Sequence, residues 1–155
     1  MIEIVANCDT EQPGPVERLL RSLPEWFGIE ESICGYVEDA RTLPTYTVRE
    51  PAYGEVVGVL LVKRHFPTAA EVHLMAVDRS WHRRGVGRTL LRAAEADLRA
   101  DGLRYLQVKT LSPSRADENY ERTRQFYVAM GFTPLEEFPD LWDERNPCLL
   151  LVKSL

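Results

Sequence analysis

The chain has 155 residues, a length that fits one domain with its own hydrophobic core, so we expect a single domain over residues 1–155. Hydrophobic residues make up 45% and charged residues 28%, which is typical of a soluble globular protein. The formal net charge of −5 argues against a nucleic-acid partner, because binding to a phosphate backbone needs a basic face.

The cysteines and the N-terminus indicate a reducing compartment. Cys8, Cys34 and Cys148 are odd in number and far apart, which predicts neither a metal site nor a disulfide framework. We expect all three to be buried thiols. The N-terminal segment, which contains Glu3, does not resemble a signal peptide, and no apolar run reaches the length of a membrane span. The protein is therefore predicted to be cytoplasmic, without a membrane partner.

The first half of the chain predicts one strand, two helices and a β-hairpin. Pro13-Gly14-Pro15 breaks the chain before the first helix, and Tyr53-Gly54 marks the hairpin turn. The predicted elements are, in chain order, a strand at 1–6, helices at 16–22 and 30–40, and strands at 45–49 and 56–63.

The second half predicts a strand at 71–77, a helix at 86–100, a strand at 103–111, a helix at 117–130, and strands at 132–138 and 148–153. The strand–helix–strand crossover implies that the strands at 71–77 and 103–111 run parallel. Alternation places Glu71, His73, Met75 and Val77 on one face of their strand, and Val72, Leu74 and Ala76 on the other. A polar loop is expected at 139–147.

A basic glycine turn separates the strand at 71–77 from the next helix: His82-Arg83-Arg84-Gly85-Val86-Gly87-Arg88. Glycines let the backbone approach a ligand closely, and a helix start directs unpaired N–H groups and the positive end of its dipole to the same point. With three arginines, this pattern predicts a phosphate or pyrophosphate site. The alternative is a tight turn with solvated arginines. The nucleotide triphosphatase loop motif GxxxxGK[ST] and the dinucleotide-binding motif GxGxxG are both absent.

This turn, preceded by Leu74-Met75-Ala76-Val77-Asp78, resembles the acyl-CoA-binding core of the GNAT superfamily of N-acetyltransferases. The family pattern has Gln or Arg, two residues, Gly, one residue, then Gly or Ala, and His82 stands at its first position. Phe126-Tyr127-Val128-Ala129-Met130-Gly131-Phe132 resembles the family's Tyr-x-x-x-Gly-Phe helix end. The resemblance implies a mixed α/β fold: a twisted, mostly antiparallel sheet with one splayed parallel strand pair, flanked by about four helices.

The resemblance also implies acetyl-CoA as the acyl donor, with no metal. Its diphosphate would lie on the amides of the turn, and its peptide-like arm would pair with the strand near Met75 as an added strand. A backbone N–H near Met75 would polarise the thioester carbonyl. Where the family often has an asparagine, seven residues before Tyr127, this chain has Tyr120 beside Asn119. The implied cofactor contacts are Met75, Ala76, Val77, His82, Arg83, Arg84, Gly85, Val86, Gly87, Arg88, Asn119 and Tyr120.

Amine acetylation needs a base and an acid. An alkylamine is protonated at neutral pH, so a carboxylate is the natural base, directly or through a water. Glu71 is the first candidate, because several family members carry a catalytic glutamate there, and His73 is the second. Tyr127 matches the family's tyrosine and is the candidate acid, since a phenol pKa near ~10 resembles that of an alkyl thiol. For all three residues, a purely structural role is the alternative.

Residues 26–46 and 138–147 are expected to flank the acceptor, and both segments are rich in acids and aromatics. Acids would steer a cationic amine, although a charge run is usually a solvated face. The sequence predicts direct acetyl transfer, in a ternary complex, to a primary amine of a small cationic or amino-acid-like molecule. Acetylation of a protein N-terminus or lysine, a non-catalytic acyl-CoA-binding or sensing module, and a plain interaction domain remain alternatives. A homodimer is left open.

Overall fold

The computed structural model describes residues 4–9 and 11–155. Its elements are β1 (Ala6–Asp9), α1 (Pro13–Arg21), α2 (Glu30–Asp39), β2 (Thr45–Arg49), β3 (Val56–Phe66), β4 (Ala69–Val77), a 3₁₀ turn (Arg79–Trp81), α3 (Val86–Ala100), β5 (Tyr105–Leu111), α4 (Glu118–Ala129), β6 (Thr133–Asp143) and β7 (Asn146–Ser154). None of these helices combines the length and the apolar character that a bilayer crossing needs.

The described strands form a seven-stranded sheet in the order β1-β2-β3-β4-β5-β7-β6. β4 and β5 run parallel, whereas the other neighbouring strands run antiparallel. Helices cover both faces. The buried stripe of α3, with Leu90 and Leu91, packs in one cluster, and that of α1, with Leu19 and Leu20, packs in a second cluster. The predicted mixed α/β fold is confirmed.

β4 and β5 pair along only part of their length. Their register runs from Ala69 with Tyr105 to Val72 with Val108, and no further pair joins them within residues 11–155. β4 continues to Val77, while the far edge of β5 stays paired with β7. The two strands therefore splay apart, as expected, and leave the β5-facing edge of β4 open between them.

A bulge in β4 changes which face its side chains occupy. Leu61 of β3 pairs with Leu74 and the next residue, Val62, pairs with Val72, so His73 is an extra residue. Val72 packs in the cluster of α3, but Leu74 packs in the cluster of α1 and α2. The regular alternation predicted over 71–77 is therefore wrong, because the inserted residue sends the side chains after it to the opposite face.

The N-terminal boundaries also differ from the prediction. Of the strand predicted at 1–6, residues 1–3 lie outside the described part of the chain, and β1 begins at Ala6, paired with Val48. Helix α1 begins at Pro13, before the predicted start at 16. Proline fits the first turn of a helix, where N–H groups have no partner within the helix.

The polar loop predicted at 139–147 is instead the end of a β-hairpin formed by β6 and β7. The Asp143 carboxylate accepts hydrogen bonds from the backbone N–H groups of Arg145 and Asn146, at 2.8 and 2.9 Å, and so closes a short turn. Pro139 lies in an irregular part of the β6–β7 pairing, where its missing N–H removes no ladder hydrogen bond.

The cysteines differ in their exposure. Cys148 is buried in β7, but Cys8 on the edge strand β1 and Cys34 on α2 are exposed. The expectation of three buried thiols is therefore wrong for two of them.

Candidate active site

A cavity of about 880 Å³ opens where β4 and β5 separate. Its walls come from β4, β5, the start of α3, α4 and the connection between α1 and α2. Along β4, the lining runs from Val72 to Val77, a distance of about 17 Å for an extended strand. The glycine turn that follows Val77 and the residues around His73 therefore lie at different ends of the cavity.

The glycine turn ends in an uncapped helix start. Gly85 is the N-cap of α3 with φ of 84°, a left-handed conformation that favours glycine, and Arg83 also has a positive φ of 60°. No side chain caps α3, and its first turn contains no acid. The N–H groups of Val86, Gly87 and Arg88 thus have no acceptor within the helix, and they coincide with the positive end of its dipole.

The two glycines have different structural roles. A Cβ built on Gly85 would meet no atom within 4 Å, so open space lies in front of the turn. A Cβ on Gly87 would lie 3.2 Å from the Phe126 ring and 3.7 Å from Met75. Gly87 therefore lets the start of α3 pack closely against α4 and β4.

The side chains of the turn divide into two groups. Arg83 and Arg88 line the cavity. The guanidinium of Arg84 instead lies over the Trp81 ring, 4.0 Å from its centroid, and Arg84 does not line the cavity. His82 Nε2 lies 2.7 Å from the carbonyl oxygen of Val77 and so ties the turn to the end of β4.

The open strand edges carry unpaired polar groups. Met75, Ala76 and Val77 line the cavity on β4. On β5, Thr110 also lines it, is 4% exposed, and has a buried hydroxyl with no hydrogen-bond partner among the residues described. A buried unpaired hydroxyl costs about 1–3 kcal/mol, so it is a feature that needs a partner. The sequence analysis missed Thr110, although a threonine in an otherwise apolar buried stripe of β5 is a detectable signal.

Together these features fit a ligand with a diphosphate and a peptide-like arm, as acetyl-CoA has. An open helix start suits the diphosphate, and the unpaired edge of β4 suits the amides of the arm.

Glu71 lies on the opposite face of β4 from Val72, beside the cavity rather than in its lining. Three side chains contact the same carboxylate oxygen, Oε1: His65 Nε2 at 2.7 Å, Gln107 Nε2 at 3.0 Å and Lys109 Nζ at 3.4 Å. Burial raises the pKa of Glu71, but these partners lower it by more, so the pKa lies below its usual value of 4.5. The first candidate base is thus an anchored, ionised carboxylate.

His73, the second candidate base, lines the cavity at the bulge. Its Nε2 lies 2.8 Å from Asp39 Oδ2, at the end of α2, and its ring packs edge-on against Tyr36 with a centroid distance of 5.3 Å. A carboxylate and an aromatic ring therefore fix the orientation of the imidazole. His73 is the extra residue of the β4 bulge, which the sequence pattern did not predict.

Tyr127 is buried in the last turns of α4 and lines the cavity. Its ring packs edge-on against Phe126 and Phe132 at 5.3 and 5.4 Å. Burial raises the pKa of Tyr127 above its ordinary value of 10.0, and the nearby Tyr36 and Tyr120 raise it further. The close match to an alkyl thiol that the sequence analysis assumed is therefore wrong, and the phenol stays protonated at any working pH.

Tyr120 is engaged in a bridge across the cavity. Its hydroxyl donates a hydrogen bond to the carbonyl of Trp26 at 2.7 Å, and the Trp26 indole N–H donates to the Thr123 hydroxyl at 3.2 Å. Burial raises the pKa of Tyr120 to about 12. Asn119 lines the cavity, and its backbone N–H is capped by Asp117. Tyr120 thus holds α4 to the α1–α2 connection.

Phe27, Tyr36 and Trp142, from the two segments expected to flank the acceptor, also line the cavity, and Tyr36 packs against both Phe27 and His73. The acids of those segments do not line it. Asp39 contacts His73, and Glu30 pairs with Arg21 at the surface. In the described part of the chain, the charged side chains of the lining are all basic: Arg83, Arg88, Lys109 and Arg122. The acids of the two segments are therefore not part of the lining, in keeping with the alternative of a solvated charged face.

The family model of the acetyltransferase (GNAT) domain matches residues 31–134. No curated protein matches the chain significantly. Among solved structures, a protein assigned to the GNAT family from Desulfovibrio desulfuricans has a TM-score of 0.83 at 17% identity, covering 98% of this chain and 99% of its own. A GNAT family acetyltransferase from Elizabethkingia anophelis with acetyl-CoA bound has a TM-score of 0.74 at 16% identity, covering 100% of both chains.

An aminoglycoside 6'-N-acetyltransferase complexed with coenzyme A has a TM-score of 0.70 at 18% identity, covering 96% of both chains. At these identities the solved structures show a shared fold. The family match extends over more than half of the chain, from α2 to the start of β6, and includes the glycine turn and Tyr127. The chain therefore belongs to the GNAT family and is an acetyltransferase.

Proposed function

We propose that this protein transfers an acetyl group from acetyl-CoA directly to the primary amine of a small molecule, in a ternary complex in the cytoplasm. We also propose that residues 1–155 act as one domain. The observation that carries the proposal is a single cavity joining the uncapped start of α3, the unpaired edge of β4, His73 and Tyr127. Acetyl-CoA, when bound, supplies the acyl thioester.

The donor is held by backbone groups. The N–H groups of Val86, Gly87 and Arg88 bind the diphosphate, and the side chains of Arg83 and Arg88 add positive charge. The backbone from Met75 to Val77 pairs with the amides of the arm, as an added strand would.

Two further contacts support the donor's arm. The Thr110 hydroxyl, which lacks a partner within residues 11–155, hydrogen bonds to the arm from the β5 side. Asn119 and Tyr120 contact the arm from α4, since both line the cavity.

His73 accepts the amine proton in this proposal, and Asp39 holds its ring. His73 is favoured over Glu71 because it lines the cavity, whereas Oε1 of Glu71 already takes three contacts. Glu71 remains the competing base through its second oxygen and a water.

Tyr127 holds a proton on its phenol oxygen and gives it to the departing thiolate. The raised pKa keeps the phenol protonated before the reaction, which suits a donor, and makes it a weaker acid than a free phenol. We therefore assign to Tyr127 a hydrogen bond that strengthens as negative charge develops, followed by proton transfer.

The first test is calorimetry with coenzyme A, followed by thiol release from acetyl-CoA over a panel of small amines and peptides. We expect binding and release with at least one small amine. No binding would contradict the proposal. Binding without release across the panel would indicate an acyl-CoA-binding module, and release with peptides alone would indicate a protein acetyltransferase.

Two arginine variants make the binding experiment specific. Arg88→Ala removes a charge that lines the cavity and should weaken coenzyme A binding about tenfold, as expected for one charged hydrogen bond. Arg84→Ala is the matched control, because its guanidinium lies over Trp81 outside the cavity lining. Equal losses in both variants would point to general electrostatics rather than to this site.

A further inference from the structure

We propose that the acceptor is a monoamine carried on an aromatic body. This inference rests on the proposed function and narrows its substrate class. It depends on two observations on the cavity: its aromatic walls, of which Tyr36 packs against both Phe27 and His73, and the absence of any lining carboxylate in the part of the chain described.

The aromatic walls come from separate parts of the chain. Phe27 lies between α1 and α2, Tyr36 lies on α2 and Trp142 on β6. Phe27 and Tyr36 are 6.3 Å apart at an interplanar angle of 84°, and Tyr36 meets His73 at 69°. Rings at such angles form adjoining walls, against which an aromatic guest can pack both face-on and edge-on. An aliphatic guest would bury apolar surface there but would not form ring–ring contacts.

Trp142 contributes a wall whose surface is only partly covered by the rest of the protein. Its side chain is 46% exposed although it lines the cavity, so an indole face remains in contact with water. Covering that face with an aromatic ring removes apolar surface from both partners. The turn closed by Asp143 holds the hairpin that carries Trp142.

The charges at this end favour a single amine. Lys109 lines the cavity with its Nζ 3.4 Å from Glu71 Oε1. Glu71 also contacts His65 and Gln107, and the nearby Asp39 contacts His73, so both carboxylates are already engaged. A second ammonium on the acceptor would therefore meet the basic groups of the lining, while the nearest carboxylates already pair with protein side chains, which is unfavourable.

The test compares three amines with the full chain and acetyl-CoA: 2-phenylethylamine, hexylamine of similar length, and hexane-1,6-diamine, which adds an ammonium to hexylamine. We expect kcat/KM for phenylethylamine to exceed that of hexylamine about tenfold, through ring packing. We expect the diamine to be poorer than hexylamine. A hexylamine value equal to or above that of phenylethylamine, or a diamine that is best, would overturn the inference.

Failure of this inference is distinguishable from failure of the proposed function. Turnover of aliphatic amines without an aromatic preference overturns the acceptor class and leaves the small-amine acetyltransferase intact. No turnover of the three amines together with turnover of another small amine of the panel overturns the acceptor class alone, whereas no turnover across the whole panel, with coenzyme A bound in calorimetry, overturns both.

A matched pair of variants tests the wall itself. Trp142→Ala should reduce the ratio of phenylethylamine to hexylamine toward one, while Leu141→Ala should leave it unchanged. Leu141 is the neighbouring residue, is 52% exposed and does not line the cavity. Because both side chains are about half exposed, neither variant should unfold the protein, and calorimetry with coenzyme A verifies this. An unchanged ratio in Trp142→Ala would overturn the inference.

Discussion

His73 Nε2 lies 2.8 Å from Asp39 Oδ2, and these residues, 34 positions apart, join β4 to the end of α2 at the wall of the cavity. The imidazole is exposed to the cavity, while the carboxylate fixes its ring. This contact is one reason why we propose His73 as the base, in preference to the Glu71 that the sequence favoured.

The first prediction concerns this pair. His73→Gln should lower kcat about 10²-fold or more, because a positioned base is lost. Asp39→Asn should lower kcat about tenfold while coenzyme A affinity stays unchanged, since it removes only the partner that orients the imidazole. Steady-state kinetics and calorimetry measure both.

Glu38→Gln is the control, as Glu38 is exposed and pairs with Arg41. A larger kcat loss in Glu71→Gln than in His73→Gln would return the base to Glu71.

The second prediction concerns stability and pH. Because the folded-state pKa of Glu71 lies below 4.5, its ionised network stabilises the fold above that pH, and the contribution is lost as pH falls through the lowered pKa. Glu71→Gln should lower the free energy of unfolding by about 1–3 kcal/mol at pH 7, since it leaves buried donors poorly paired.

Urea unfolding at neutral pH and at steps below 4.5 measures the difference, which should shrink toward zero in acid. Glu31→Gln, an exposed position on α2, should show little difference at any pH. A difference between wild type and Glu71→Gln that stays constant or grows in acid would refute this account.

The third prediction concerns Tyr127. Tyr127→Phe should lower kcat about 10²-fold and leave coenzyme A affinity nearly unchanged, because the ring packing remains and only the proton donor is lost. Since burial raises the pKa of Tyr127, the two pH–rate profiles should keep the same shape on the alkaline side. Tyr105→Phe, an exposed position on β5, is the control. Wild-type kcat in Tyr127→Phe would remove the residue from the reaction.

The fourth prediction concerns Thr110. Thr110→Val should stabilise the ligand-free protein by about 1 kcal/mol, since it removes a buried hydroxyl that has no partner in the described chain. The same change should weaken coenzyme A binding severalfold. Thr45→Val is the contrast, because the buried Thr45 hydroxyl donates to the Leu43 carbonyl at 3.1 Å and its loss should destabilise the fold. Thermal unfolding and calorimetry read out both effects. Tighter binding by Thr110→Val would exclude the proposed contact.

Much of the fold could be predicted because its signals are local. The glycine turn, the period of the helix at 86–100 and the Thr-, Tyr- and Val-rich strand at 45–49 each depend on neighbouring residues, and these elements have the predicted bounds. The splay of β4 and β5 was expected from the family resemblance. The hairpin at 139–147 was missed, because its polar residues give a loop-like pattern although Asp143 closes a tight turn.

The sequence by itself determined the glycine turn, since glycine at a positive φ and an uncapped helix start are properties of a short segment. Only the tertiary structure decided which side chains face the cavity. One extra residue in β4 turns Leu74 and the residues after it to the opposite face, and contacts between residues distant in the chain engage Glu71 and bring Asp39 to His73. Face assignment in a strand reverses with a single inserted residue, and the period of the sequence does not show where the partner strand places that insertion.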